Sequence, residues 1–200
     1  MPDFNVIADV SRTLEAFLTA GFSTLVPAPP PVAAVHDLQG NIPIDPARLT
    51  LFLFEVVEDP SQRNRPAVRT DVLPPAPPGL RISKPPMALL LKYMMTAWSG
   101  DRFTDHLILG RTLQVLYDGA ILSGPQLVGA TLVNTSIALK ITLTPITLEE
   151  RSRVFYAVQK PYRLSLTYDV RVVDLDTRTA QSLVPVASRD IRPAVQEIQP

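Results

Sequence analysis

Residues 164–172 read LSLTYDVRV, the clearest strand signal in the sequence. Leucine, tyrosine and valine alternate there with serine, threonine, aspartate and arginine, which is the period-two pattern of a half-buried β-strand. Residues 87–95, MALLLKYMM, are apolar on both sides and predict a central strand that is covered on both faces. Two further segments, residues 49–57 and residues 136–143, complete the strands of the predicted sheet.

Three other segments carry helical signals. Apolar residues recur at spacings of three and four in residues 4–21 and again in residues 102–118, which follow the typical N-cap residue Asp101. The sequence TLEE at residues 147–150 is a capping box and predicts a short third helix. The order of these elements predicts an α/β domain of the α+β type, with about three helices packed on a mostly antiparallel sheet.

The chain has 200 residues, which is the size of one domain or of one domain with a tail. Residues 58–86 are rich in proline and predict a long loop. Beyond Asp176 the chain is polar and interrupted by proline, so we expect at most one edge strand, at residues 182–186, and a loose tail. The sequence therefore predicts one domain over residues 1–176, followed by an edge strand and an extended tail over residues 177–200.

Charge and composition exclude several classes of function. The 19 basic and 19 acidic residues cancel, so no long-range field attracts nucleic acid, and we predict no nucleic-acid partner. Cysteine is absent, which excludes disulfides, thiolate metal sites and cysteine nucleophiles. Two uncharged stretches, residues 16–36 and residues 119–139, are interrupted by proline or glycine, so we expect neither to span a membrane.

Candidate catalytic residues are few. The two histidines, His36 and His106, are too few for a histidine-rich metal site, and we predict no cofactor. His106 lies near Asp101 and Asp105 in the sequence, and these carboxylates could orient an imidazole for hydrolysis. No nucleophile motif accompanies this histidine. We therefore predict that the protein is not an enzyme, and a small hydrolase that uses His106 is the alternative.

Contacts with other proteins are the remaining source of function. Three arginines lie in the proline-rich segment, and arginine is enriched at protein–protein contacts. The tail offers apolar residues on an extended chain, which can add to a sheet edge of a partner. The predicted partner-binding residues are Arg63, Arg65, Arg69, Val184, Val186, Ile191 and Val195. A monomeric adaptor between two proteins is a second alternative at this point.

Six segments occur in the order found in one known family. They are FNVIADVS at residues 4–11, residues 49–54 leading into 58–64, residues 89–98 followed by GD at 100–101, LGR at 109–111, LQVL at 113–116 and PYRLS at 161–165. Together they resemble the cap protein family of extracellular contractile injection systems, which are phage-tail-like particles. The resemblance spans residues 3–176.

This resemblance implies a structural tail-terminator role for a domain over residues 1–176. Copies of the chain are then expected to form a sixfold ring on the tube end distal to the baseplate. The implied partners are the inner tube protein, the sheath protein and further copies of the chain, and no cofactor is implied. The particle would assemble in the cytoplasm and can then be released from the cell. Such a cap fixes the particle length and stabilises the extended state.

Overall fold

A computed structural model describes residues 3–25, 29–72, 79–177 and 180–183. Its elements follow the chain as α1 (Val6–Gly21), β1 (Val32–Val35), β2 (Arg48–Glu58), β3 (Val68–Val72), β4 (Gly79–Ser83), β5 (Met87–Trp98), α2 (Arg102–Asp118), β6 (Ile121–Ser123), β7 (Ala138–Leu143), α3 (Leu148–Ala157), β8 (Ser165–Leu175) and β9 (Ala180–Leu183). They form two units, one of Met1–Asn64 with Pro86–Asp176 and one of Arg65–Pro85 with Thr177–Pro200. Among the described helices, none is long and apolar enough to cross a membrane.

The first unit contains a six-stranded sheet with the strand order β1-β2-β5-β8-β7-β6. Strand β1 pairs with β2 in parallel, and the other neighbouring strands pair antiparallel. Helices α1, α2 and α3 belong to the same unit. The predicted α+β fold, with three helices on a mostly antiparallel sheet, is confirmed.

Strand β5 lies at the centre of this sheet and is covered on both faces, as its sequence predicts. Leu91, Tyr93 and Met95 belong to the core that also contains the buried faces of α1 and α2. Met94 and Trp98 point to the other face, where they cluster with Phe155 of α3 and with Leu38 and Ile42. Helices α1 and α2 therefore lie on one side of the sheet, and α3 lies on the other.

The helix boundaries follow local capping. The Asp101 carboxylate accepts a hydrogen bond from the backbone N–H of Thr104 at 2.9 Å, and Thr147 and Glu150 form the predicted capping box. The first helix begins at Val6, two residues later than predicted. The reason is local, because the Asp3 carboxylate accepts a hydrogen bond from the backbone N–H of Asn5 at 2.9 Å and closes a turn before the helix.

The second unit contains a three-stranded antiparallel sheet with the order β3-β4-β9. The prediction of a continuous loop over residues 58–86 is wrong, because β3 and β4 pair within this segment. These strands are five residues long each and stand between prolines, so they carry little periodic signal. Strand β9 ends at Leu183, and the remainder of the predicted edge strand lies outside the described residues. The division into a domain over residues 1–176 and a tail over 177–200 stays a prediction.

Candidate docking surfaces

Helix α2 is apolar on both its buried and its exposed side. Its inner side is buried against the sheet and α1 through Ile108, Leu109, Val115 and Leu116. On its outer side Phe103 is 80% exposed, Leu107 is 55% exposed and Tyr117 is 85% exposed. The side of a surface helix that faces away from the core normally carries charged and polar residues. The outer side of α2 is therefore a candidate contact surface, and we call it the α2 face, formed by Phe103, Leu107, Leu113 and Tyr117.

Two open grooves flank the α2 face. One has a volume of about 610 Å³ and lies between α2 and the strands β7 and β8, lined by Leu113, Tyr117, Leu143 and Tyr168 among others. The other has a volume of about 550 Å³ and is lined by Leu25, Phe103, His106, Leu107 and Arg111 among others. Gln114 lines both grooves. The helix thus stands as a ridge between two depressions, a shape that can interlock with another apolar surface.

Helix α3 offers a second exposed apolar surface on the opposite side of the sheet. Leu148 is 64% exposed and Tyr156 is 86% exposed, while Phe155 is buried beneath them against the sheet. Leu148, Ser152 and Tyr156 are four residues apart and share one face of the helix. We call these three residues the α3 face.

A buried ionic cluster fixes the start of α2 against the sheet. The Asp105 carboxylate accepts hydrogen bonds from the backbone N–H of Ser99 at 2.9 Å and from the Arg163 guanidinium at 2.6 Å. The Arg163 guanidinium also stacks over the Trp98 ring at 4.4 Å. Because the side chain of Asp105 is 8% exposed and that of Arg163 is 17% exposed, water screens this pair weakly. The cluster holds the α2 face in a fixed orientation.

A second buried carboxylate joins α1 to the loop between β6 and β7. The Asp9 carboxylate accepts hydrogen bonds from the Thr131 backbone N–H at 3.0 Å and from the Thr131 hydroxyl at 2.7 Å, and it pairs with Arg12 at 3.1 Å. Burial raises the pKa of Asp9, but these hydrogen bonds and the Arg12 charge outweigh it, so the pKa lies below its usual value of 3.8. Asp9 therefore stays ionised and holds the loop in place.

His106 does not form a catalytic pair with either of the carboxylates that lie near it in the sequence, Asp101 and Asp105. His106 is exposed on the outer side of α2. Asp105 is buried in the ionic cluster, and Asp101 caps the helix through Thr104. Both carboxylates that could orient His106 are therefore engaged elsewhere. Among the described residues, no group of histidine and acidic side chains could hold a metal ion.

The predicted arginine contacts are divided between the two units. Arg63 belongs to the first unit, where its guanidinium pairs with the Glu58 carboxylate at 3.1 Å. Arg65 and Arg69 belong to the second unit, where Arg69 is exposed on β3 and faces Ile82 in the strand register. The predicted tail contacts lie outside the described residues, and they are Val184, Val186, Ile191 and Val195. The role of all seven residues stays a prediction.

The sequence predicts the helix over residues 102–118 but not its exposed α2 face. The residues of this face are visible in the sequence, where apolar side chains at positions 103, 107, 113 and 117 add to the buried set of the same helix. The usual helical pattern places apolar residues on one side of a helix. Apolar residues on opposite sides add no net direction to that pattern, so they give no clear periodic signal. An excess of apolar residues over one helical stripe is the signal that could have revealed this surface.

The fold is similar to that of two known tube terminators. The chain is similar to the cryo-EM structure of the PVC sheath/tube terminator in the extended state, with a TM-score of 0.61 and 18% identity over 95% of this chain and 65% of that chain. It is also similar to the tube-terminating cap of the anti-feeding prophage, with a TM-score of 0.57 and 15% identity over 96% of this chain and 62% of that chain. The chain thus spans less than two thirds of the length of either protein.

The sequence itself matches a family at the level of a whole domain. The model of the Pvc16 N-terminal domain matches residues 9–189, so the chain belongs to the Pvc16 N-terminal domain family. None of the curated proteins matches the sequence. The resemblance to a tail-terminator family, drawn from the six segments of the sequence, is confirmed.

Proposed function

We propose that this chain caps the inner tube and sheath of a contractile, phage-tail-like injection system. In this proposal the copies form a hexameric ring that fixes the particle length and stabilises the extended state. The observation that carries the proposal is the family match over residues 9–189, supported by the terminator fold over 95% of the chain. The partners are the inner tube protein, the sheath protein and further copies of the chain, and the particle assembles in the cytoplasm before release.

The chemistry of the surface supports a structural role rather than an enzymatic one. The carboxylates nearest to His106 in the sequence are engaged in a helix cap and in a buried ion pair. The prominent exposed features are apolar helix faces, which suit contacts between proteins. A ring also explains how the growth of the tube can stop. Head-to-tail contacts form a ring when the rotation between copies closes, and a ring with only one side suited to the tube stops further stacking.

The direct test is the binding of the purified, labelled chain to isolated inner tubes, viewed by electron microscopy. We expect label at one end of each tube and a bound mass that corresponds to a ring. Label along the whole tube, or no label, contradicts the cap. A single copy at the tube end favours the monomeric adaptor instead. Turnover of an ester or amide probe that is lost in His106→Ala favours the small hydrolase.

Tube binding and sheath co-purification test the proposed contact residues. Reversing the charge of Arg63, Arg65 and Arg69 is expected to weaken tube binding, because close charge pairs at an interface contribute strongly to affinity. Removing residues 184–200 is expected to weaken sheath co-purification while the fold is kept, since an extended tail can add to a sheet edge of the sheath. The control is Lys140→Glu, which reverses an exposed charge on β7. Unchanged tube binding of the arginine variant contradicts the arginine contacts, and unchanged sheath co-purification of the truncated chain contradicts the tail contact.

A further inference from the structure

The two exposed helix faces lie on opposite sides of one sheet and differ in sequence. The α2 face is on the side of the large core, and the α3 face is on the side of the cluster that contains Trp98 and Phe155. A head-to-tail ring needs two different patches on each copy, so that one patch meets the other patch of the next copy. A self-complementary dimer needs only one patch. Two distinct apolar faces therefore match the requirement of a head-to-tail contact, which a ring uses when the rotation between copies closes.

We propose that the α2 face of one copy packs against the α3 face of the next copy. This inference rests on the proposed ring and names its subunit contact. The partner that covers the α2 face is thus a second copy of this chain. The grooves beside α2 receive Leu148 and Tyr156 of the neighbouring copy.

The size of the α2 face agrees with such a contact. An aromatic side chain buries about 150–250 Å² on complete burial, so Phe103 and Tyr117 together offer roughly 300 Å² at their observed exposure. Leu107 and Leu113 extend the patch to roughly 400 Å², which is as large as the largest apolar patch on many monomers. It also supplies about half of the roughly 800 Å² that each partner buries in a standard interface.

The charged side chains beside the two faces are largely engaged within the chain. Arg102 lies 3.7 Å from the Asp105 carboxylate, and Arg111 donates hydrogen bonds to the backbone oxygen of Gly21 and to the Gln114 amide oxygen. On α3, Glu149 pairs with Arg153 at 2.6 Å, and Glu150 belongs to the capping box. These pairs leave the contact to the apolar side chains of the two faces.

Cysteine cross-linking tests this contact without interference, because the natural chain contains no cysteine. The variants are Leu107→Cys on α2 and Tyr156→Cys on α3, both at exposed positions. We expect a disulfide-linked dimer when the two single variants are mixed. A chain that carries both substitutions should give a ladder at multiples of 22.0 kDa, because each copy is then linked to two neighbours.

The comparison variant is Ala16→Cys, which is exposed on α1 and lies on the same side of the sheet as α2. We expect the Leu107→Cys and Tyr156→Cys mixture to yield at least about tenfold more dimer than a mixture of Leu107→Cys with Ala16→Cys, because an interface raises the local thiol concentration to about millimolar. Dimer from Leu107→Cys alone shows an α2–α2 contact and overturns the proposal. Equal yields in both mixtures overturn it as well.

The cross-linking is carried out on the free chain and on tube-bound material. The outcomes then distinguish a failure of the proposed α2–α3 contact from a failure of the proposed cap function. Tube binding by the wild-type chain without the selective cross-link in either sample rejects the contact and leaves the cap intact. The selective cross-link in a chain that does not bind tubes supports the contact and rejects the cap. Absence of the cross-link from both samples rejects the contact whether or not the tubes are bound.

Discussion

Replacing Gly129 by alanine is expected to reduce the free energy of unfolding by about 3–5 kcal/mol, the largest effect that we predict for one added methyl group. Two costs combine at this position. Gly129 has a φ of +104°, a conformation that L-residues rarely adopt. A Cβ atom there would also overlap the carboxylate of Asp9. The displaced carboxylate would lose its hydrogen bonds to Thr131 and leave buried polar groups without partners.

Alanine substitutions at Gly124 and Gly110 separate the cost of backbone strain from the cost of the Cβ overlap. Gly124 has a φ of +58° with open space around it, so Gly124→Ala should show backbone strain alone, about 1–2 kcal/mol. Gly110 lies in α2 with open space and without the unusual backbone, so Gly110→Ala should stabilise the fold by about 0.5–1 kcal/mol. In an Asp9→Ala background, the cost of Gly129→Ala should fall to the strain component, because the overlapping carboxylate is gone.

Urea unfolding measures these differences, and Trp98 is a suitable probe because it is the only tryptophan of the chain and is buried. The midpoint and the slope of each curve give the change in stability. A loss of less than about 1 kcal/mol for Gly129→Ala contradicts the described packing of Asp9 beneath this loop, since strain alone costs about that much.

Replacing Asp105 by alanine is expected to reduce the free energy of unfolding by about 3–5 kcal/mol, because it leaves a nearly buried cation without its counter-charge. Arg163 loses its partner at 2.6 Å, and the Ser99 backbone N–H loses its acceptor at the same time. The start of α2 is then no longer tied to the sheet. Urea unfolding measured through Trp98 fluorescence gives the change, and the fluorescence also reports loss of the stacked guanidinium.

An exposed ion pair of equal length is the matched control. Glu149 and Arg153 also approach to 2.6 Å, but their side chains are 73% and 78% exposed. Glu149→Ala should change the stability by less than about 1 kcal/mol, because water screens an exposed pair. The double variant Asp105→Ala/Arg163→Met should recover part of the lost stability, since no unpaired charge stays buried. Equal effects of Asp105→Ala and Glu149→Ala contradict the role that we assign to burial.

The long elements of the fold could be predicted because each carries a repeated local signal. Strand β8 alternates over residues 165–172, β5 is apolar on both faces, and Asp101 marks the start of α2. Short elements could not be predicted in this way. Strand β6 has three residues, which is too few to show a period. Its strand conformation comes from pairing with β7.

The sheet of the second unit shows why strand pairing between distant segments cannot be predicted from the local sequence. Strand β4 pairs with β9, which lies about one hundred residues further along the chain. Nothing within the proline-rich segment indicates that partner. The candidate docking surfaces have a similar limit, because a sequence shows which residues of α2 are apolar but leaves open which of them the rest of the fold covers.

The most direct test of the central claim is electron microscopy of particles assembled in cells that produce the complete injection system with and without this chain. We predict that omission removes density from one tube end and makes the particle lengths irregular, and that restoring the wild-type chain reverses both effects. Particles of uniform length with normal ends on both sides, assembled in cells that lack the chain, would contradict the cap function.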